Sequence, residues 1–383
     1  MAGIALVSIN LRASITAVGP IVSDIRADLG LSNAAVGLLT TLPVLAFAGA
    51  SPLAGPLARR IGIERTLGGA LALLLAGILL RVTGTIWAAF LGTAMLGVAI
   101  AAGNVLLPAL VKRDLPTLIG PVTAIYVTVM IAFAAIASTI SVPLADDLGL
   151  GWQGALAVWG IPVVAGLVLW LPRVLRARPP VRASGSGRTG PTRMRRSVIA
   201  WQVTAYMGLQ SFAFYVLVAW LPELLQDDGV AASTAGVLMG VLQAAGLLAT
   251  MAVPVLAARA PDQRRLVLAS TGLGLFAMFG LLVEPGGLAL VWAIAVGIAG
   301  ACTLSLSLAF FVMRTRVGDD AAALSGMAQS LGYLFAASGP FVVGLLHDAT
   351  DGWTVPVILF IVVWVLIGVT GMFAGRPGIV AES

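Results

Sequence analysis

Between residues 3 and 374 the chain is a succession of apolar runs of about twenty residues with short polar breaks between them. No other feature limits the fold as strongly. The runs fall at 3–25, 34–57, 66–86, 87–111, 118–144, 153–172, 198–221, 233–257, 265–284, 288–312, 321–345 and 353–374. A helix of about 20 apolar residues crosses a hydrocarbon core of roughly 30 Å. In lipid only helices and closed barrels satisfy every backbone group, and a barrel would show alternating segments of about ten residues. The expectation is an all-α membrane protein with twelve transmembrane helices. Composition agrees. Of 383 residues, 60% are hydrophobic and 10% charged, against roughly 25% charge in a soluble domain.

Charge placement predicts the orientation. With both termini in the cytoplasm, the connections at 58–65, 112–117, 173–197, 258–265 and 313–320 plus the C-terminal tail hold 19 of the 22 basic residues. The opposite connections hold Arg26 and Arg81 and ten of the 16 acids. This is the asymmetry that the positive-inside rule requires. The net charge of +6 is therefore topology information, and nucleic-acid binding is not expected because no folded basic surface with base-contacting chemistry is present. A cleavable signal peptide is not expected either, since the start lacks a basic n-region and Arg12 interrupts the apolar region.

The stretch "RVLRARPPVRASGSGRTGPTRMRRS" (173–197) carries eight Arg and no acid. Its Pro, Gly and Ser content reads as a disordered cytoplasmic linker. It divides the chain into a first six-helix bundle (1–174), a linker (175–197) and a second six-helix bundle (198–383). The halves repeat weakly at a shift of about 200 residues: "ARRIGIER" (58–65) answers "ARAPDQRR" (258–265), and "DDLGLGW" (146–152) answers "HDATDGW" (347–353). Two six-helix repeats around a midplane cavity form a recurrent transporter plan.

Several chemistries are excluded. Cys302 is the one cysteine and His347 the one histidine, so neither an intramolecular disulfide nor a Cys/His metal site can form. There is no phosphate-binding G-x-x-x-x-G-K-[ST] motif, and Lys112 is the one lysine. No HExxH and no carboxylate pair lies inside a span, so a membrane-embedded hydrolase lacks its machinery. A receptor would carry a folded output domain, whereas the longest loop has 25 residues. No enzymatic activity and no cofactor are expected.

Arg12 in "INLRASITAVGP" (9–20) stands roughly 3 Å from the midpoint of the first span, at about 1.5 Å per residue. Holding a guanidinium there costs at least ~2.5–3.5 kcal/mol on insertion scales. The acids cluster at span ends (Asp24, Asp146, Glu223, Glu284, Asp348), so no carboxylate is placed to pair with it. A partner supplied by the substrate is the economical reading, because a guanidinium matches small oxyanions through paired donors. The competing reading is a structural Arg held by backbone carbonyls and helix dipoles. Arg81 is expected to snorkel at a span end, His347 to be solvated and Trp220 to anchor at the interface. Pro43, Pro108, Pro143, Pro162, Pro254 and Pro340 are expected to interrupt or bend their helices.

Twelve spans, a long central loop and a basic short loop after the second span resemble the major facilitator superfamily. That family's signature places an Asp after Gly-x-Leu-Ala, where "GPLARRIG" (55–62) has Arg59. More specifically, "INLRASITAVGP" (9–20), "LTTLPVLAFA" (39–48), "GNVLLPALVKRD" (103–114), "GLQSFAFYVLVAWLPELL" (208–225) and "SGMAQSLGYLFAASGP" (325–340) are similar to the cyanate/2-nitroimidazole transporter family. The resemblance implies a cavity lined by helices 1, 4, 7 and 10, with 2, 5, 8 and 11 beside them. Asn10, Arg12, Asn104, Tyr126, Gln210, Tyr215, Gln329 and Tyr333 fall on those helices and are the expected substrate-binding set. The implied function is secondary active transport of a small, cyanate-like anion by alternating access. The alternative is export of neutral heteroaromatic compounds such as 2-nitroimidazole or other drugs. The expected partners are that small solute, the lipid bilayer and, in one coupling scheme, a proton. A monomer in the bacterial cytoplasmic membrane is expected.

Overall fold

The computed structural model describes residues 2–177 and 191–380. Every regular element among them is helical, and twelve helices are long and apolar enough to cross a membrane. They are helix 1 (Gly3–Ile21), helix 2 (Ala35–Ile61), helix 3 (Ile63–Arg81), helix 4 (Ile86–Asp114), helix 5 (Ile119–Ala145) and helix 6 (Gly151–Arg176). The second set is helix 7 (Val198–Asp227), helix 8 (Thr234–Arg259), helix 9 (Arg264–Val283), helix 10 (Ala289–Met313), helix 11 (Gly318–Thr350) and helix 12 (Thr354–Ala374). All twelve expected spans are therefore present, with bounds moved by a few residues.

Two compact units emerge: Met1–Leu110 with Ile125–Ser186, and Val111–Ala124 with Gly187–Ser383. The connection between helices 4 and 5 thus groups with the second unit, where Gly120 lies against Pro254 and Val255 of helix 8. Of the expected linker, residues 178–190 lie outside the described residues. Its described edges are helical: helix 6 runs on to Arg176, and Pro191–Arg196 forms a short helix. The hydroxyl of Ser197 then accepts the Ala200 amide at 3.4 Å and caps helix 7.

Only two of the six expected prolines stand at helix breaks. Pro43, Pro108, Pro143 and Pro254 sit inside continuous helices. Helix 6 is interrupted at Val158–Trp159 and restarts at Gly160 with Pro162 in its first turn. Helix 11 likewise restarts beside a proline, at Ser338–Gly339 with Pro340 in its first turn. There the indole of Trp220 donates to the Pro340 carbonyl at 2.8 Å, so Trp220 serves a helix break rather than only the interface. Helix 1 has no proline at its break. Ala2–Ile9 is α-helical, the ladder is lost over Asn10–Arg12, and the chain continues as Ala13–Thr16 and a 3-10 turn at Gly19–Ile21. The continuous span expected over 3–25 is corrected accordingly, and a separate helix, Val22–Leu29, follows, stopped by Gly30 in the left-handed region (φ 62°).

The internal repeat has a structural counterpart in each unit. In the first, the indole of Trp152 donates to Asp28 Oδ2 at 2.8 Å. In the second, the indole of Trp353 donates to Asp227 Oδ2 at 2.8 Å. Each bond ties the start of a unit's last helix to the segment that leaves its first. In the second unit His347 lies at a tilt against Trp353 with ring centroids 4.3 Å apart, so it is packed rather than loosely solvated.

The second unit is also bound together where helices 8, 10 and 12 end. Buried Arg314 donates its Nε to the Ala374 carbonyl at 2.8 Å and its Nη2 to the side-chain oxygen of Gln263. Gln263 returns its amide to the Ala257 carbonyl at 3.0 Å. Burial pushes the Arg314 guanidinium down to about 10, so it remains protonated at neutral pH. Beside it the hydrogen bond from Arg264 holds the Asp262 carboxyl below its ordinary value.

Candidate functional site

In the first unit the candidate site is the interruption of helix 1. Arg12 stands at its end with φ −133° and ψ −33°, outside helical geometry, and its side chain is half-buried. Asn10 and Leu11 reach back only three residues, to Val7 and Ser8 at 3.1 Å each. The Arg12 carbonyl then accepts the amides of Ile15 and Thr16 at 3.0 Å each and restarts the coil. Such a break leaves carbonyls without the usual i+4 donor. In a membrane they must find partners within the protein.

The Ser14 carbonyl finds its donor on another helix, while Asn10 and Thr16 turn their side chains out to carbonyls of helices 6 and 5. Arg81 of helix 3 donates Nη1 to the Ser14 carbonyl at 2.7 Å. It is only 3% exposed, which corrects the expectation of a snorkelling arginine. The hydroxyl of Thr16 donates to the Ala134 carbonyl of helix 5 at 2.9 Å. Asn10 donates Nδ2 to the Leu6 carbonyl at 2.9 Å and to the Pro162 carbonyl of helix 6 at 3.3 Å. Its amide therefore fixes the start of the break against helix 6. On helix 4, Gly103 leaves room for the Leu11 side chain, which a Cβ there would overlap. That contact brings half-buried Asn104, the next residue, to the level of the break. Tyr126 is buried on helix 5.

In the second unit helices 7 and 11 carry the remaining four expected residues. Gly208 and Gly332 face each other so closely that a Cβ built on Gly332 would stand 3.1 Å from the Gly208 Cα. This approach draws two aromatic pairs together. Tyr215 meets Tyr333 edge-on at 6.4 Å between centroids, and Phe212 stacks on Phe335 at 5.0 Å. Buried Gln210 donates Nε2 to the Ser211 hydroxyl at 2.8 Å, and buried Gln329 donates Nε2 to the Ser325 hydroxyl at 2.7 Å. The structure thus brings Tyr215 to Tyr333 while each glutamine is held by a serine of its own helix. A surface of aromatic edges with fixed carboxamides suits a flat polar molecule.

Arg81 and Thr16 were not singled out as site-supporting residues by the sequence. Arg81 gave a signal, a cation at the far end of a long apolar run. Thr16 gave none. Among the described residues no group of three or more His, Cys, Asp or Glu side chains could hold a metal ion.

Comparison with known proteins places this architecture. The chain is 40% identical to the 2-nitroimidazole transporter of Escherichia coli (strain K12) over 376 residues, covering 98% of this chain and 95% of that one. It is 28% identical to the cyanate transport protein CynX of the same organism over 354 residues, covering 91% of this chain and 90% of that one. The fold matches that of the proton:xylose symporter XylE with a TM-score of 0.76 at 15% identity, over 98% of this chain and 93% of that chain. Residues 4–340 match the Major Facilitator Superfamily as a whole. With its twelve helices and this match across most of its length, the chain is a multi-pass membrane protein that belongs to the major facilitator superfamily of transporters.

Proposed function

We propose that the protein moves a small, cyanate-like anion across the cytoplasmic membrane by alternating access, with Arg12 as the anion-binding centre. The observation that carries this reading is the loss of helical structure at Arg12. Non-helical backbone at membrane depth persists where it is buried in protein or lines a water-filled cavity, and interrupted helices recur at transporter binding sites. A half-buried guanidinium at such a point offers paired donors to a compact anion. In the first unit Asn104 and Tyr126 are proposed to bind beside Arg12; in the second, Gln210, Tyr215, Gln329 and Tyr333 are the proposed binding residues. Asn10 contributes by holding the break. The protein works as a monomer with both termini in the cytoplasm, and the relative named for cyanate transport supports the substrate class.

Cyanate flux into proteoliposomes tests this. Arg12→Lys keeps the charge and loses the planar fork, so flux weakens but survives. Arg12→Gln and Arg12→Ala abolish flux while the protein inserts and melts as the parent does. Parental cyanate affinity in a well-folded Arg12→Gln protein would refute the assignment.

A second reading rests on the Tyr215–Tyr333 pair and the two buried glutamines. These suit a neutral heteroaromatic solute, and the relative at 40% identity is named for 2-nitroimidazole. If that reading holds, 2-nitroimidazole flux is indifferent to Arg12→Gln and falls with Tyr333→Phe or Gln329→Ala.

A further inference from the structure

We infer that Arg81 is a positioning residue for transport: its guanidinium takes the place of the backbone donor that Ser14 loses at Ala17–Val18 and so fixes the short turn Ala13–Thr16 that follows the helix 1 break and seats Arg12. In an uninterrupted helix the Ser14 carbonyl would accept the amide of Val18. That amide instead turns to Ile15 at 3.2 Å. Arg81 Nη1 occupies the vacated acceptor at 2.7 Å, across 67 residues of sequence.

The packing of helices 3 and 4 explains why this arginine does not reach for the surface. Gly92 of helix 4 lies against Arg81 itself. A Cβ on Gly92 would stand 2.6 Å from the Arg81 amide nitrogen and 2.7 Å from its Cβ. Gly77, one turn earlier on helix 3, meets the Gly92 carbonyl equally closely, at 2.8 Å from a built Cβ. The two glycines seat the helix backbones together, and the Arg81 side chain is 3% exposed. Its Nε and Nη2 have no hydrogen-bond partner among the described residues. A guanidinium held in this way, satisfied at one donor only, is poorly explained by solvation or charge pairing. The bond to Ser14 is the interaction that its position secures.

The inference rests on the Arg12 reading for its second arm only. The first arm is hydrogen–deuterium exchange on the purified protein in lipid nanodiscs. Arg81→Met keeps bulk and removes donor and charge, so amides over residues 13–18 should exchange at least tenfold faster. Peptides from helices 7–12 should stay within twofold of the parent. Arg81→Lys, which can still donate, should recover most of the protection. Should Arg81→Met fail to accumulate, Gly92→Ala displaces the Arg81 backbone without touching the guanidinium and should loosen the same segment. Parental exchange over 13–18 in these variants, or acceleration spread over the whole chain, would overturn the inference.

The second arm is cyanate binding read by thermal shift. Arg81→Met should weaken the half-saturating concentration at least fivefold and leave the shift at saturation unchanged, with Arg81→Lys intermediate. If Arg12→Gln binds cyanate like the parent, the anion reading fails while the exchange result still decides the role of Arg81. If Arg12→Gln loses binding and Arg81→Met keeps both parental exchange and affinity, the anion reading stands and Arg81 is not its positioner.

Discussion

The approach of Gly208 to Gly332 sets a quantitative test of how helices 7 and 11 are joined. Lipid tails are as apolar as leucine, so helices in a membrane associate through close packing that small residues permit. An alanine at 332 places a methyl carbon 3.1 Å from the Gly208 Cα and nitrogen. Ordinary carbon contacts lie near 3.5–4.0 Å, so the helices must part by roughly 0.5 Å. Overpacking of this kind costs about 1–3 kcal/mol. Alanine also favours a helix over glycine by up to ~1 kcal/mol, which offsets part of the loss. Gly272→Ala supplies that second term alone, because nothing lies within 4 Å of a Cβ built there and the residue is exposed. The difference in unfolding free energy between Gly332→Ala and Gly272→Ala should therefore be about 1–3 kcal/mol, read from reversible unfolding in detergent. Gly332→Val should widen it. The double variant Gly208→Ala with Gly332→Ala should depart from additivity, since both methyls enter one contact. Equal stabilities for Gly332→Ala and Gly272→Ala would show that helices 7 and 11 do not depend on this approach.

Two further outcomes follow from the same physics. Trp152→Phe removes the indole bond to Asp28 from a buried ring. It should lower stability by ~1–2 kcal/mol, more than Trp353→Phe, whose ring is only half-buried; the reverse order in melting experiments would argue against a burial-controlled bond. Arg314→Met leaves the Ala374 carbonyl and the Gln263 side chain without their donor in a buried position. It should cost about 1–3 kcal/mol for each stranded acceptor and raise proteolysis at the C-terminal tail, and an uncleaved tail would contradict the tie.

The number and placement of the helices could be read from the sequence because hydropathy acts on every residue of a span and tolerates single exceptions. The Trp–Asp bonds were foreshadowed by the matching "GLGW" and "TDGW" ends, although the acids they bind lie more than a hundred residues away. The break in helix 1 was not legible. Residues 9–14 contain neither proline nor glycine, and their local preferences are compatible with a helix. What stabilises the break is remote: Pro162 for Asn10, Ala134 for Thr16, Arg81 for Ser14. Conversely, four of the six prolines carried a strong local signal that the surrounding packing overrode, as Pro43 and Pro254 show. In the candidate site, helical spacing put Gln329 and Tyr333 on one face. The meeting of Tyr333 with Tyr215 depends on the Gly208–Gly332 approach, which spacing along one helix cannot reveal.

The helix 1 break also orders the biogenesis of the first unit. Helix 1 leaves the ribosome before the other five helices of its unit, yet it carries a guanidinium near its centre, a penalty of ~2.5–3.5 kcal/mol on insertion scales. Its backbone partners are not yet made. The donor to Ser14 arrives with helix 3, the acceptor for Thr16 with helix 5 and the acceptor for Asn10 with helix 6. Until then the unpaired polar groups of residues 10–16 favour water or the insertion machinery over lipid. The first helix of the unit to be made is thus among the last to reach its final hydrogen bonding, and it settles only as the sixth helix closes the unit around it.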